Sequence, residues 1–271
     1  SPHAHARIGS VDTRAARTMP GVLAVLTGED WAAEKFGHLE PAMPRFRRDG
    51  SPLFVAPRPA LALERAVFVG EAVAFVVAET VEQARDAAEC IAIEYEPLPA
   101  LTATDRIGSP GAPALWAGCP DNETFFFKLG DKGAVDAAFA RARHVTRLRL
   151  AINRVTAATM EPRGCIGDYD PRDERYTLTT GTQRPHDARH DIAYSILRIP
   201  ETQLRVVSGD VGGSFGMKGG HYPEFALALW ASKKLCRPVK WVCERSEAMA
   251  SDDHDRDHLS DASLALAADG K

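Results

Sequence analysis

The sequence predicts a mixed α+β fold in two parts, and three observations carry that prediction. Strand-patterned and helix-patterned segments alternate along the whole chain. Between residues 72 and 96 two apolar strand-like runs flank a capped amphipathic segment. From residue 97 to about 124 the composition shifts to proline, glycine and alanine, which reads as a linker holding the domain boundary. The 271 residues suffice for one large or two ordinary domains. A hydrophobic share of 45% with 26% charged residues is that of a soluble globular protein. The net charge of −4 gives no basic footprint for nucleic acid, and no run of about 18 apolar residues offers a membrane helix.

Residues 21–27 read as a strand, and residues 37–59, rich in proline, arginine and glycine, as a long loop. Residues 66–69 form a short strand before a Gly70-Glu71 turn, and the near-continuous apolar run 72–78 is a strand covered on both faces. Thr80 with Gln83 three residues on is a capping box, and Ala84, Ala87, Ala88 and Ile91 share one helical face. Residues 91–96 alternate as a strand stopped by Pro97, completing a strand–helix–strand unit. Beyond the linker come a short helix at 133–140, a half-buried strand at 144–151, a strand at 176–180, and a helix at 187–197 with Ile192, Ala193 and Ile196 on one side. Residues 204–207, 238–242 and 263–266 are further strands, and 224–231 a helix. The five cysteines are scattered without a Cys-x-x-Cys pair, so they read as buried free thiols of a reducing cytoplasm, holding neither zinc nor iron–sulfur.

The richest stretch is Gly209-Asp210-Val211-Gly212-Gly213-Ser214-Phe215-Gly216-Met217-Lys218-Gly219-Gly220, set between a strand and a helix. Glycines there let backbone N–H groups face an anion or a polar cofactor at close range. It is neither a Walker loop, since Lys218 precedes Gly219, nor a clean Gly-x-Gly-x-x-Gly. Two readings stand: a cofactor cradle, or a flexible turn that packs Phe215 into a core. Gln183, at a strand end in Thr180-Gly181-Thr182-Gln183-Arg184-Pro185-His186, offers an amide to a crevice or a loop hydrogen bond. His3 and His5 have same-face strand spacing and read as strand-edge or interface residues rather than metal ligands. The run 252–258 matches no calcium loop and reads as a solvated or salt-bridged segment. Ser214 lacks the full nucleophile-elbow spacing, so a serine hydrolase is a minor alternative.

Three segments in order, Met160-Glu161-Pro162-Arg163, Thr182-Gln183-x-Pro185-His186 and Asp210 to Lys218, resemble one family. So do Ser1-Pro2-His3-Ala4-His5-Ala6-Arg7-Ile8, Val69-Gly70-Glu71-Ala72-Val73-Ala74, Arg237-Pro238-Val239-Lys240-Trp241 and Glu244-Arg245-Ser246-Glu247. The chain is similar to the large subunit of molybdenum hydroxylases, the xanthine dehydrogenase and aldehyde oxidase family, with the flavour of bacterial carbon monoxide dehydrogenase-like subunits. The resemblance implies an α/β hammerhead domain over residues 1–110, then the first part of a molybdenum-cofactor-binding α+β domain over residues 111–271. It implies molybdopterin cytosine dinucleotide as cofactor. Gln183 matches the glutamine beside a molybdenum oxo group, with no direct metal ligand in the chain. Gly212, Gly213, Ser214, Phe215 and Gly216 match the cofactor loop, and Phe215 the ring that walls the substrate pocket.

The implied activity oxidises an aldehyde, carbon monoxide or an aromatic heterocycle with water as oxygen source, passing electrons to an Fe–S small subunit and an FAD medium subunit. A dimer of heterotrimers, soluble in the cytoplasm without membrane or nucleic-acid partners, is the implied assembly. The resemblance also implies that the catalytic glutamate lies outside this chain. The chain is then a truncated product or one piece of a split subunit, inactive alone. The glutamate that purine oxidisers carry four residues after the loop phenylalanine is Gly219 here, which argues against purines; the segment before Met160, Ala157-Ala158-Thr159, lacks a histidine often found there. The alternative of another class is a non-catalytic scaffold that binds no cofactor.

Overall fold

The structure, a computed structural model, describes residues 1–38 and 45–270. In chain order its elements are β1 (Ala6–Asp12), α1 (Arg14–Arg17), β2 (Val22–Thr27), α2 (Gly28–Ala33), β3 (Arg65–Ala66), β4 (Ala74–Ala78), α3 (Val81–Glu89), β5 (Ala92–Pro97) and α4 (Lys132–Arg141). There follow β6 (His144–Val155), β7 (Gly164–Asp170), β8 (Arg175–Thr180), α5 (Pro185–His190), β9 (Leu204–Val207), α6 (Pro223–Leu235), β10 (Val239–Val242), α7 (Arg245–Ser251) and β11 (Asp255–Leu266). The fold is α+β, as the sequence predicts. Positions 39–44 of the expected long loop lie outside the described residues.

The chain forms two compact units. One comprises Ser1–Pro41, Ala56–Ala100 and Thr156–Asp253; the other comprises Ala42–Val55, Leu101–Val155 and His254–Lys271.

Among the described residues the first unit holds three sheets: β3-β1-β5, β2-β4, and the four-stranded β10-β7-β8-β9. The capping box of α3 forms as its sequence dictates, with Gln83 N–H donating to Thr80 Oγ1 and the Gln83 side chain returning to Thr80 N–H. The strand–helix–strand order forms as read, but its two strands do not share a sheet. β4 pairs antiparallel with β2 whereas β5 pairs antiparallel with β1, so α3 joins two different sheets. The apolar run 72–78 is likewise not covered on both faces: β4 starts at Ala74 and alternates buried with half-buried.

The larger core forms where α6 lies on β7 and β8. Nine consecutive residues of α6, Glu224 to Ser232, are buried. The helix comes so close that a Cβ on Gly167 would sit 2.5 Å from the backbone of Ala228, so glycine is required there. Ser232 Oγ accepts the Tyr169 N–H at 2.9 Å, locking helix to strand. Trp230 stands edge-on to Trp31 at 5.4 Å and to Phe36 at 5.9 Å, and donates its indole N–H to Glu34. The helix expected at 187–197 is an α-helical turn that loosens into a π-helical run, Asp191–Leu197, burying Ile192, Ala193 and Ile196 as anticipated.

The second unit carries α4, capped by the Asp131 carboxylate on Ala134 N–H, and the antiparallel ribbon β6–β11. β6 is twelve residues long and exposed throughout, not the half-buried strand its alternation suggests. The cysteines also divide: Cys119, Cys165 and Cys243 are buried, whereas Cys90 and Cys236 are exposed.

Candidate functional site

The sheet order explains why sequence-distant motifs meet. β8 and β9 are parallel neighbours, with Thr179 beside Val207, so the loops leaving their carboxyl ends emerge side by side. One loop carries Gln183, the other the glycine stretch. β7 runs antiparallel to β8 with Cys165 opposite Thr180, which brings Met160-Glu161-Pro162-Arg163 to the same end. β10 pairs with β7 so that Val242 faces Gly164, and Cys243-Glu244 joins the group. The carboxyl ends of adjacent parallel strands are where open α/β sheets bind ligands.

In the glycine loop, Gly213 has φ +101°, Phe215 +53° and Gly216 +99°. These left-handed values fold the loop into a sharp turn. Among the described residues, the amides of Ser214, Phe215 and Gly216 donate no hydrogen bond. A Cβ on Gly216 would meet nothing within 4 Å, so that face is open. Phe215 is 84% exposed. The reading of a turn that packs Phe215 into a core is therefore overturned. Successive free amide donors beside an opening at Gly216 make a nest for oxygen acceptors.

Behind the loop the structure is tight. Glu161 Oε2 accepts both Gly212 N–H at 2.7 Å and Lys218 Nζ at 2.6 Å, and Glu161 N–H donates to Gly212 C=O. A Cβ on Gly212 would lie 2.5 Å from Glu161 Cβ, so this glycine serves close approach. The hydrogen bond from Lys218, then the one from Gly212, hold the Glu161 carboxyl below its usual range. Lys218 C=O accepts Gln183 N–H at 3.1 Å and Thr182 Oγ1–H at 3.1 Å, so the Gln183 loop is bonded directly to the glycine loop. The Gln183 side chain is exposed, and its Oε1 would lie 3.4 Å from a Cβ on Gly219. A cavity of about 250 Å³ opens here, with Glu161, Gly181, Lys218 and Trp241 among its walls. A larger depression of about 450 Å³ sits beside the π-helical run, at His38, Tyr194 and Arg198, and shares no residue with this site.

Sequence reasoning singled out the Met160–Arg163 motif without roles for Glu161 and Arg163, and missed Lys218. Arg163 is buried. It donates from Nε to Asp252 at 2.6 Å, from Nη1 to Glu224 at 2.8 Å and from Nη2 to Ser251 at 2.7 Å, and stacks 3.9 Å over Tyr222. Burial pushes the Glu224 carboxyl up, and the neighbouring guanidinium pulls it back. Tyr222 in turn donates to Met217 C=O, joining this network to the loop. The run 252–258 is thus only partly solvated, because Asp252 is a buried partner of Arg163. The available signal for this network was the arginine of the Met160-Glu161-Pro162-Arg163 motif, set immediately before β7.

The other sequence candidates separate from this site. His5 Nδ1 bonds Pro99 C=O and His3 leans on Tyr95, both just ahead of β1. Ser214 is buried, its Oγ accepting Lys218 N–H, and no histidine bonds it among the described residues.

Comparison with known proteins agrees with this geometry. The family model for the molybdopterin cofactor-binding domain matches residues 118–271, and that for the aldehyde oxidase and xanthine dehydrogenase a/b hammerhead domain matches residues 1–99. The chain therefore belongs to the molybdenum hydroxylases of the aldehyde oxidase and xanthine dehydrogenase family, with a hammerhead domain followed by a molybdopterin-binding domain. Within that family it is 37% identical, over its whole length, to the 6-hydroxypseudooxynicotine dehydrogenase complex subunit gamma of Paenarthrobacter nicotinovorans, covering 33% of it. It is 35% identical, again over its whole length, to the carbon monoxide dehydrogenase large chain of Afipia carboxidovorans, covering 34% of that chain. The crystal structure of the Cu,Mo-CO dehydrogenase superposes on all of this chain and on 34% of its own, with a TM-score of 0.88 at 33% identity. The chain spans about a third of the length of the curated relatives it matches.

Proposed function

We propose that this chain forms one wall of the molybdenum-cofactor site in an oxidoreductase that hydroxylates or oxidises an aldehyde, carbon monoxide or an aromatic heterocycle, with water as oxygen source. The observation that carries the reading is the row of unpartnered amides at Ser214, Phe215 and Gly216, in a loop open at Gly216 and bonded through Lys218 to the Gln183 loop. These residues fit the group. The three amides would hold its oxygen acceptors, the open space at Gly216 would let it approach the main chain, and the Gln183 amide would add a side-chain donor. Once bound, the cofactor supplies a two-electron redox centre. The exposed Phe215 ring supplies an apolar wall on the substrate side.

The division that best serves this function is a hammerhead domain over residues 1–110 and the first part of the cofactor domain over residues 111–271. The cofactor form is molybdopterin cytosine dinucleotide, the electron acceptors are an Fe–S small subunit and an FAD medium subunit, and the assembly is a dimer of heterotrimers in the cytoplasm. The catalytic base comes from outside these residues, a reading in keeping with the engagement of three nearby carboxylates: Glu161 is tied to Lys218, and Glu224 and Asp252 to Arg163. Among the described residues no helix is long and apolar enough to cross a membrane.

The test is molybdenum and acid-released nucleotide analysis of the protein purified from its native source with its partners. Stoichiometric molybdenum with CMP is expected. A well-folded complex free of both would refute the proposal. Phe215→Ala and Gln183→Ala should each abolish most turnover, whereas a scaffold would tolerate them.

A further inference from the structure

We infer that Glu161 and Lys218 are a positioning pair that closes the glycine loop into a ring and so holds the Ser214–Gly216 amides in their unpartnered arrangement. The inference rests on the cofactor reading above, and neither residue is placed against the cofactor itself. One oxygen, Glu161 Oε2, receives the N–H of Gly212 at one end of the loop and the ammonium of Lys218 at the other, at 2.7 and 2.6 Å. The Glu161 N–H closes a second bond onto Gly212 C=O at 3.1 Å. The five residues between those anchors include all three left-handed ones, a backbone that relaxes readily once an end is released.

Lys218 makes the pair more than a surface contact. Its side chain is 2% exposed, against 47% for Glu161, so the ammonium has no water to fall back on if its partner is neutralised. Its own N–H is capped by Ser214 Oγ, and its C=O takes both the Gln183 N–H and the Thr182 hydroxyl. One buried residue therefore sets the register between the two loops that face the cofactor. Preorganised donors of this kind lose their value when the backbone that carries them becomes mobile.

The experiment uses the full-length protein in its native complex, with Glu161→Gln, Lys218→Met and the double variant. Two quantities are read: amide exchange of the peptide spanning residues 212–218, and molybdenum and CMP retained after prolonged dialysis. Glu161→Gln keeps an oxygen for Gly212 while removing the charge, so it separates the ion pair from gross misfolding. Each single variant should raise loop exchange about tenfold or more with α6 exchange unchanged. Cofactor retention should fall at least about fivefold, and the double variant should be no worse than either single. Wild-type loop exchange, or full retention in Glu161→Gln, overturns the inference, and so does loss of protection spread evenly over α6. A wild-type complex without molybdenum would overturn the cofactor reading instead, while the exchange data would still judge the clamp on its own.

Discussion

Replacing Arg163 with methionine removes a cation from between two buried carboxylates. The side chains of Arg163, Glu224 and Asp252 are 1%, 9% and 1% exposed. Asp252 Oδ2 has no hydrogen-bond partner even with the arginine in place. Methionine keeps most of the volume against Tyr222 but leaves both carboxylates uncompensated. Breaking a buried pair from one side costs about 3–5 kcal/mol, most of it the desolvation of the stranded charge. The lost stacking on Tyr222, and on Trp241 at 5.3 Å, adds about 0.5–2 kcal/mol. For a unit of this size about 2–4 °C per kcal/mol converts the loss to a fall in melting temperature of roughly 7–28 °C. Scanning calorimetry of the full-length protein reads it. The same physics expects Arg163→Met combined with Glu224→Leu and Asp252→Leu to regain over half of the loss, since an apolar replacement of the whole network carries no stranded charge. A single variant that melts within about 1 kcal/mol of wild type would refute the argument, as would a triple variant worse than the single.

Further predictions concern the loop and the surface. Gly216→Ala, at φ +99° with no neighbour to strike, should cost about 1–3 kcal/mol through backbone strain alone, read by chemical denaturation. Glu161 has a depressed folded pKa, so its contribution is present above the ordinary glutamate value of 4.5 and fades as pH falls through the folded value; the melting difference between wild type and Glu161→Gln should shrink over that acid window, and a pH-independent difference would contradict it. His190 lies 2.7 Å from Glu201, whose hydrogen bond raises the imidazole; its stabilisation is present below 6.5 and lost as pH rises through the raised value, and Glu201→Gln should bring the NMR titration of His190 back toward 6.5. A thiol reagent under native conditions should modify Cys90 and Cys236 but spare Cys119, Cys165 and Cys243, as peptide mapping would show. A fluorophosphonate probe should leave Ser214 unlabelled, because its oxygen is buried and engaged by Lys218 N–H.

Local chemistry determined much of this molecule without help from the fold. The Thr80–Gln83 capping box started α3 where it was expected, since a cap is satisfied by residues three apart. Strands β2, β8 and β9 and the apolar helix α6 also followed from their own patterns. The ordered motifs around Glu161, Gln183 and Phe215 were enough to place the chain in its family. Tertiary structure decided what depends on partners distant in sequence. Pairing sent β4 and β5 to different sheets, which the apolar runs on either side of α3 do not encode. Packing decided that Asp252 is buried at the head of a charged run, because its partner Arg163 lies 89 residues away. The parallel register of β8 and β9 brought the two loops together, and Lys218 then became the bond between them. Glycine, phenylalanine and glutamine supplied the chemistry of the site, but only the sheet could fix the distances between them, because hydrogen bonds over 2.6–3.1 Å cannot be read from spacing along a chain.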